Sequence, residues 1–144
     1  MKVYLDNCCF NRPFDDQSSL VVRLETEAKL YIQDLIKEGD LDLVWSFVLD
    51  YENDNNPFEE VRERVAEWKE FAVSDWKQAG VVTSKANELM NMGLRVKDAF
   101  HVACAIFLDA SYFITTDKKI LNKHINEVEC INPIDFIRRY YNEN

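Results

Sequence analysis

The sequence predicts a single three-layer α/β domain built on a parallel sheet. Three observations lead there. Short apolar runs of strand length alternate along the chain with longer segments of helical periodicity. Only three glycines and three prolines occur in 144 residues, which favours long helices over a loop-rich β fold. Acidic residues also close the strand-like runs, as Asp6 and Asp117 do, and open parallel sheets bind ligands outside the carboxyl ends of their strands.

The first strand is Lys2–Leu5, followed by a polar loop from Asn7 to about Gln17. Ser18 or Ser19 caps a long helix to about Glu38, with Leu20, Leu24, Ala28, Tyr31 and Leu35 at helical spacing. Gly39 ends it, and Leu41 to Trp45 forms a second strand. Ser46 caps a short helix carrying Phe47, Val48, Tyr51 and Glu52, which runs out in the polar stretch Asn53 to Pro57. Pro57 starts another helix to about Val73, with Phe58, Val61, Val65, Trp68 and Phe71 on one face. A weak third strand is expected at Val81–Val82, then a helix from Ser84 to near Gly93. Asp98 opens an apolar helix to Leu108, Tyr112–Thr116 forms a strand, and a short helix follows Asp117. A strand at Val128–Ile131 and a helix from Pro133 complete one domain over residues 1–144.

No leader-like segment and no apolar run of the roughly 20 residues that span a bilayer are found. The expected location is the cytoplasm, with no membrane contact. Cys8, Cys9, Cys104 and Cys130 lack paired metal-ligand spacing and are expected to be reduced, packed thiols. A net charge of −9 argues against a basic nucleic-acid-binding surface. It is compatible with a metal-centred acidic cleft or a basic protein partner.

Four acids, Asp6, Glu52, Asp98 and Asp117, each sit beside a predicted strand end or helix start. Singly they have ordinary readings: Asp6 and Asp117 as turn formers or caps, Asp98 as the favourable anion of a helix start, Glu52 as one surface acid beside Asp50 and Asp54. Gathered at one end of a parallel sheet they would repel one another unless a cation neutralised them, which points to a divalent metal. Thr115 and Thr116 either finish their strand or present hydroxyls to the site. His101 lies one turn beyond Asp98 and reads first as a hydrogen-bonded core residue, second as a donor to Asp98 or a phosphate contact. His124 is assigned no chemistry. Among Arg12, Arg23, Lys97, Lys118 and Lys119 near the expected mouth, Arg12 is the best placed to grip a phosphate. The Trp68 and Phe71 stripe reads as core ahead of a partner groove.

Four blocks, Tyr4-Leu5-Asp6-Asn7-Cys8-Cys9-Phe10, Ser46-Phe47-Val48-Leu49-Asp50-Tyr51-Glu52, Lys97-Asp98-Ala99-Phe100-His101-Val102-Ala103 and Phe113-Ile114-Thr115-Thr116-Asp117, resemble in order those of PIN-domain proteins. The resemblance spans nearly the whole chain and is most specific in the last two blocks. It implies a five-stranded parallel sheet of order 3-2-1-4-5. It also implies catalytic roles for Asp6, Glu52, Asp98 and Asp117, with one or two Mg²⁺ or Mn²⁺ ions on Asp6, Asp98 and Asp117. Asn7, Arg12, His101 and Thr116 would serve as supporting or substrate-contacting residues.

The activity implied is that of a metal-dependent endoribonuclease like the VapC-like toxins of toxin–antitoxin pairs, leaving a 5′-phosphate and a 3′-hydroxyl. The implied partners are an RNA substrate, an antitoxin protein and a second copy in a homodimer. Two features depart from the pattern. Asn7 stands where a small hydroxyl residue is usual, and the run after Glu52 is unusually polar. These departures keep open a second class, a non-catalytic PIN-fold binding module for RNA or a protein partner. A phosphotransfer receiver is disfavoured because too few residues separate Asp6 from Leu41 for the strand and helix it needs there.

Overall fold

Val3, Tyr4 and Leu5 are completely buried, so the strand they belong to must be covered on both faces. In the computed structural model, which describes residues 1–143, that strand is β1 (Lys2–Leu5), the centre of a five-stranded parallel sheet. β1 pairs with β2 (Asp42–Ser46) through Val3 opposite Leu43, and with β4 (Tyr112–Ile114) through Leu5 opposite Ile114. β3 (Ala72–Trp76) and β5 (Glu129–Ile131) form the edges, giving the expected order β3-β2-β1-β4-β5. The order reverses between β1 and β4, which places a crevice beside the ends of those two strands.

Helices flank the sheet: α1 (Asn7–Asn11), α2 (Leu20–Lys37), α3 (Phe47–Asp54), α4 (Glu59–Glu67), α5 (Ala79–Asn91), α6 (Val96–Phe107), α7 (Lys118–Leu121) and α8 (Pro133–Glu143). α2 packs on α8, and α5 on α6. Ser19 caps α2 and Ser46 caps α3, each hydroxyl accepting a backbone N–H three residues on, as expected. Gly39 follows α2 with φ of 82°, and the N–H groups of Gly39 and Asp40 close onto the carbonyls of Ile36 and Leu35. That positive φ is why the helix stops at a glycine. No helix among the described residues is long and apolar enough to cross a membrane.

Several elements differ from expectation. The loop after Asp6 begins as α1, then makes a 3-10 turn over Arg12–Phe14. The helix after Pro57 starts at Glu59 and ends at Glu67; a 3-10 turn over Trp68–Phe71 leads into β3, where no strand was expected. β3 lies at the edge and is only partly buried, so it lacks the continuous apolar run that marks a central strand. Val81 and Val82 belong to α5, which begins ahead of Ser84; Val82 is buried and Val81 exposed, a helical pattern too short to separate from a strand by sequence. α6 begins at Val96, so Asp98 lies in its first turn, and β4 ends at Ile114 rather than Thr116.

The largest difference is the rotation of α2. Leu20, Leu24 and Tyr31 of the expected apolar stripe are exposed, while Glu25, Lys29, Ile32, Gln33, Leu35 and Ile36 face inward. Glu25 pairs with Arg12 across 3.4 Å, and the Lys29 ammonium stands 5.8 Å from the centroid of the Phe10 ring. Tertiary contacts thus overrode the periodicity. Burial pulls the Lys29 pKa down from 10.5 to about 8.

A lysine whose folded pKa is depressed destabilises the native state below that pKa, because the unfolded chain holds the proton more tightly. The cost disappears as pH rises from about 8 to 10.5. Lys29→Met should therefore raise the unfolding free energy at pH 7 by up to about 3 kcal/mol, from a depression of 10.5 to about 8. Its advantage over the native chain should shrink through that pH window in urea titrations.

Candidate active site

The site is built on the carboxyl ends of β1 and β4. Asp6 directly follows β1, its backbone N–H extending the ladder to the Ile114 carbonyl, and it caps α1 by accepting the Asn7 N–H at 2.8 Å. Thr115 Oγ1 donates to Asp6 Oδ2 at 2.8 Å and accepts the Asp117 N–H at 3.0 Å, so one buried hydroxyl ties the two strand ends together. Asp117 caps α7 by accepting the Lys119 N–H. Cys8 adds a longer contact, its thiol donating to Asp6 Oδ2 at 3.5 Å.

Glu52 enters from α3 and Asp98 from α6. Asp6, Glu52, Asp98 and Asp117 line one cleft of about 250 Å³, together with Cys8, Arg95 and Lys97. These are the four acids singled out in the sequence, and the fold brings them to one cleft. Four carboxylates face two fixed cations there, a local surplus of negative charge. Burial, and then the like charge of Asp6, raise the Asp98 pKa despite its ion pair with Arg95. Burial would also raise Glu52, but the His101 hydrogen bond, then Lys97 and Asn7, bring it below its ordinary value.

A chain of buried hydrogen bonds orients Glu52. Ser46 Oγ and Tyr4 Oη lie 2.6 Å apart, Tyr4 Oη lies 2.6 Å from His101 Nδ1, and His101 Nε2 meets Glu52 Oε1. A phenol donating to Nδ1 leaves the Nε2 proton to point at the carboxylate, which gives each member a partner. His101 is thus a buried, hydrogen-bonded residue, but its acceptor is Glu52 and not Asp98. Asn7 Nδ2 supports the other Glu52 oxygen at 3.1 Å, so the residue that departs from the PIN pattern still serves the site.

Arg12 and Thr116 are placed differently from expectation. Arg12 donates to Thr116 Oγ1 at 2.8 Å and to Asp15 at 3.0 Å, and it also pairs with Glu25. These contacts occupy the fork that was expected to grip a phosphate. Arg12 clamps the turn after α1 to α2 and to the end of β4, and Thr115 takes the ordering role expected of Thr116. The arginine that does reach the acids is Arg95, which bridges Asp98 at 3.1 Å and Asp117 at 2.9 Å, while Lys97 stands 3.9 Å from Glu52. Its spacing of three residues ahead of Asp98 was the one available signal.

The donor set fits a hard divalent cation, since carboxylate oxygens dominate it and like charges crowd there. Among the described residues, the trio whose potential ligand atoms lie within 4.8 Å of one another is Asp6, Glu52 and His101. The expected trio of Asp6, Asp98 and Asp117 does not converge as closely among the described residues, and Arg95 bridges the last two.

No protein-family model matches the sequence, and no curated protein sequence matches it. Solved structures do. The chain is similar to FitAcB from Neisseria gonorrhoeae, with 14% identity over 91% of this chain and 97% of that one and a TM-score of 0.51. It is also similar to VapBC2 from Rickettsia felis bound to a DNA fragment from its promoter, with 14% identity, 92% and 98% coverage, and a TM-score of 0.55. At such identity the likeness is one of fold: a single α/β domain on a five-stranded parallel sheet.

Removing the Tyr4 hydroxyl takes the partner of buried His101 Nδ1 and one of the partners of Ser46 Oγ, which keeps its cap bond from the Leu49 N–H. Tyr4→Phe should lower the unfolding free energy by about 1–3 kcal/mol with the ring packing retained. Urea denaturation measures it, and a change below about 0.5 kcal/mol would show the chain of bonds to be dispensable.

Proposed function

We propose that this chain is a divalent-metal-dependent endoribonuclease, acting as the toxin of a toxin–antitoxin pair. The observation that carries the reading is the convergence of Asp6, Glu52, Asp98 and Asp117 on one cleft at the sheet's switch point. The fold and the four PIN-like sequence blocks support it.

Asp6, Asp98 and Asp117 would hold Mg²⁺ or Mn²⁺, with Glu52 as a further ligand or as the base. When bound, the cation supplies positive charge that acidifies water and offsets charge on the scissile phosphate. Glu52 is held ionised and aimed into the cleft by His101 and Asn7, so its carboxylate accepts the proton of the attacking water. The water oxygen bonds to phosphorus as the bond to the 3′-oxygen breaks, and the departing 3′-oxygen takes a proton from solvent water, leaving a 5′-phosphate and a 3′-hydroxyl. Arg95 and Lys97, the cations lining the cleft, would exchange their carboxylate partners for substrate phosphate oxygens.

A second reading is favoured by Arg95 itself. An arginine already neutralising Asp98 and Asp117 is also what a non-catalytic binding module with a disused metal site would carry. A protein of net charge −9 would suit a basic partner such as an antitoxin in either case.

Calorimetric titration of Mn²⁺ separates the two. Under the nuclease reading the native protein binds Mn²⁺, and Asp98→Asn, which removes charge at constant volume, loses binding and lowers metal-dependent RNA cleavage by about a hundredfold or more. A folded native protein with no Mn²⁺ affinity, or an unimpaired variant, would sink it. Arg95→Ala should raise Mn²⁺ affinity about fivefold, since the metal no longer competes with the guanidinium for Asp98 and Asp117. The same variant should weaken RNA binding.

A further inference from the structure

Between α1, α2 and α4 lies a pocket of about 280 Å³ that shares no lining residue with the acidic cleft. Its floor carries Lys29 and Gln33, which are only 4% and 2% exposed. The Lys29 ammonium has no hydrogen bond or ion pair with any described residue, and its near neighbour is the Phe10 ring. Gln33 Nε2 is buried without a hydrogen-bond partner.

A buried donor without a partner is costly, as is an ammonium on a largely buried side chain set against an aromatic ring, and structural packing alone does not account for both in one pocket. The chain has no shortage of acids, with 26 against 17 basic residues, yet none is set against Lys29. Glu67 lines the same pocket and makes no ion pair with it. Arg64 also lines the pocket as a second cation, tied among the described residues to an exposed Glu60 on its own helix. At a pKa of about 8 the lysine remains charged at neutral pH. The remaining walls are apolar, with Phe10, Phe14 and Trp68 providing aromatic surface.

We propose that this pocket binds a carboxylate carried on a small apolar body. Lys29 Nζ and Gln33 Nε2 donate to the two carboxylate oxygens, and the apolar part packs against Phe10, Phe14 and Trp68. One ammonium and one amide match a group of single negative charge with two oxygens, whereas a phosphate would turn a further charged oxygen toward aromatic walls. The volume lies at the lower end of the roughly 300–1,000 Å³ typical of ligand pockets, so the ligand is small. A free acid and an acidic side chain between apolar residues present the same chemistry, and the test separates them.

The test is calorimetric titration of the full chain with 3-phenylpropionate, with its uncharged amide, and with a doubly blocked Leu-Glu-Phe tripeptide. The expected result is binding of the free acid, none of the amide, and affinity at least about tenfold weaker in both Lys29→Met and Gln33→Leu. Binding of the tripeptide without the free acid, with the same dependence on both residues, would support the proposal and place the carboxylate on a polypeptide. Failure of both carboxylates to bind the folded native protein would overturn it. Equal binding of acid and amide, or unchanged affinity in both variants, would overturn it as well.

Discussion

The double pairing of β1 is the constraint on which the molecule depends. A strand buried on both faces and hydrogen-bonded on both sides can present a charged group to solvent only at its ends, and Asp6 stands at the carboxyl end. Because β4 runs parallel to β1, its own end arrives alongside, and Thr115 fastens the two ends together through its hydroxyl. β2 on the other side feeds α3, which delivers Glu52 from the opposite wall. The carboxylates are neighbours because the sheet is parallel and reverses its order at β1, not because they are near in sequence.

The electrostatics of the cleft follow from that crowding. Buried acids facing one another are pushed toward protonation, as Asp98 is, unless a donor or a cation intervenes. Glu52 escapes through the Tyr4–His101 chain, whose apolar surroundings strengthen each hydrogen bond. Asp98 and Asp117 share Arg95 instead. The site therefore holds its carboxylates by two devices: a buried hydrogen-bonded relay on one wall, and a solvent-exposed arginine on the other.

The turn after α1 links the cleft to the rest of the molecule. Arg12 joins the end of β4, through Thr116, to Glu25 on α2. That contact helps fix the rotation of α2, which turns a polar face inward and an apolar stripe outward. Burying Glu25, Lys29 and Gln33 in place of Leu20, Leu24 and Tyr31 runs against the hydrophobic pattern of the helix. Such inversions are expected where a surface has work beyond packing.

The sequence by itself determined the alternation of strands and helices, the central strands, the serine caps and the glycine stop, because each rests on local periodicity or on one residue's backbone preference. It also determined the four acids of the cleft, since they stand at element ends that local signals locate. Tertiary structure decided the rest. β3 was hidden because an edge strand needs no apolar run, and α5 because two valines carry no period. The partners of His101, Arg12 and Thr115 were likewise out of reach, since Tyr4 and His101 are 97 residues apart. Arg95 left a local trace, three residues before Asp98. A side chain's hydrogen-bond partner depends on which elements the sheet brings together, and local sequence carries no record of that distance in space.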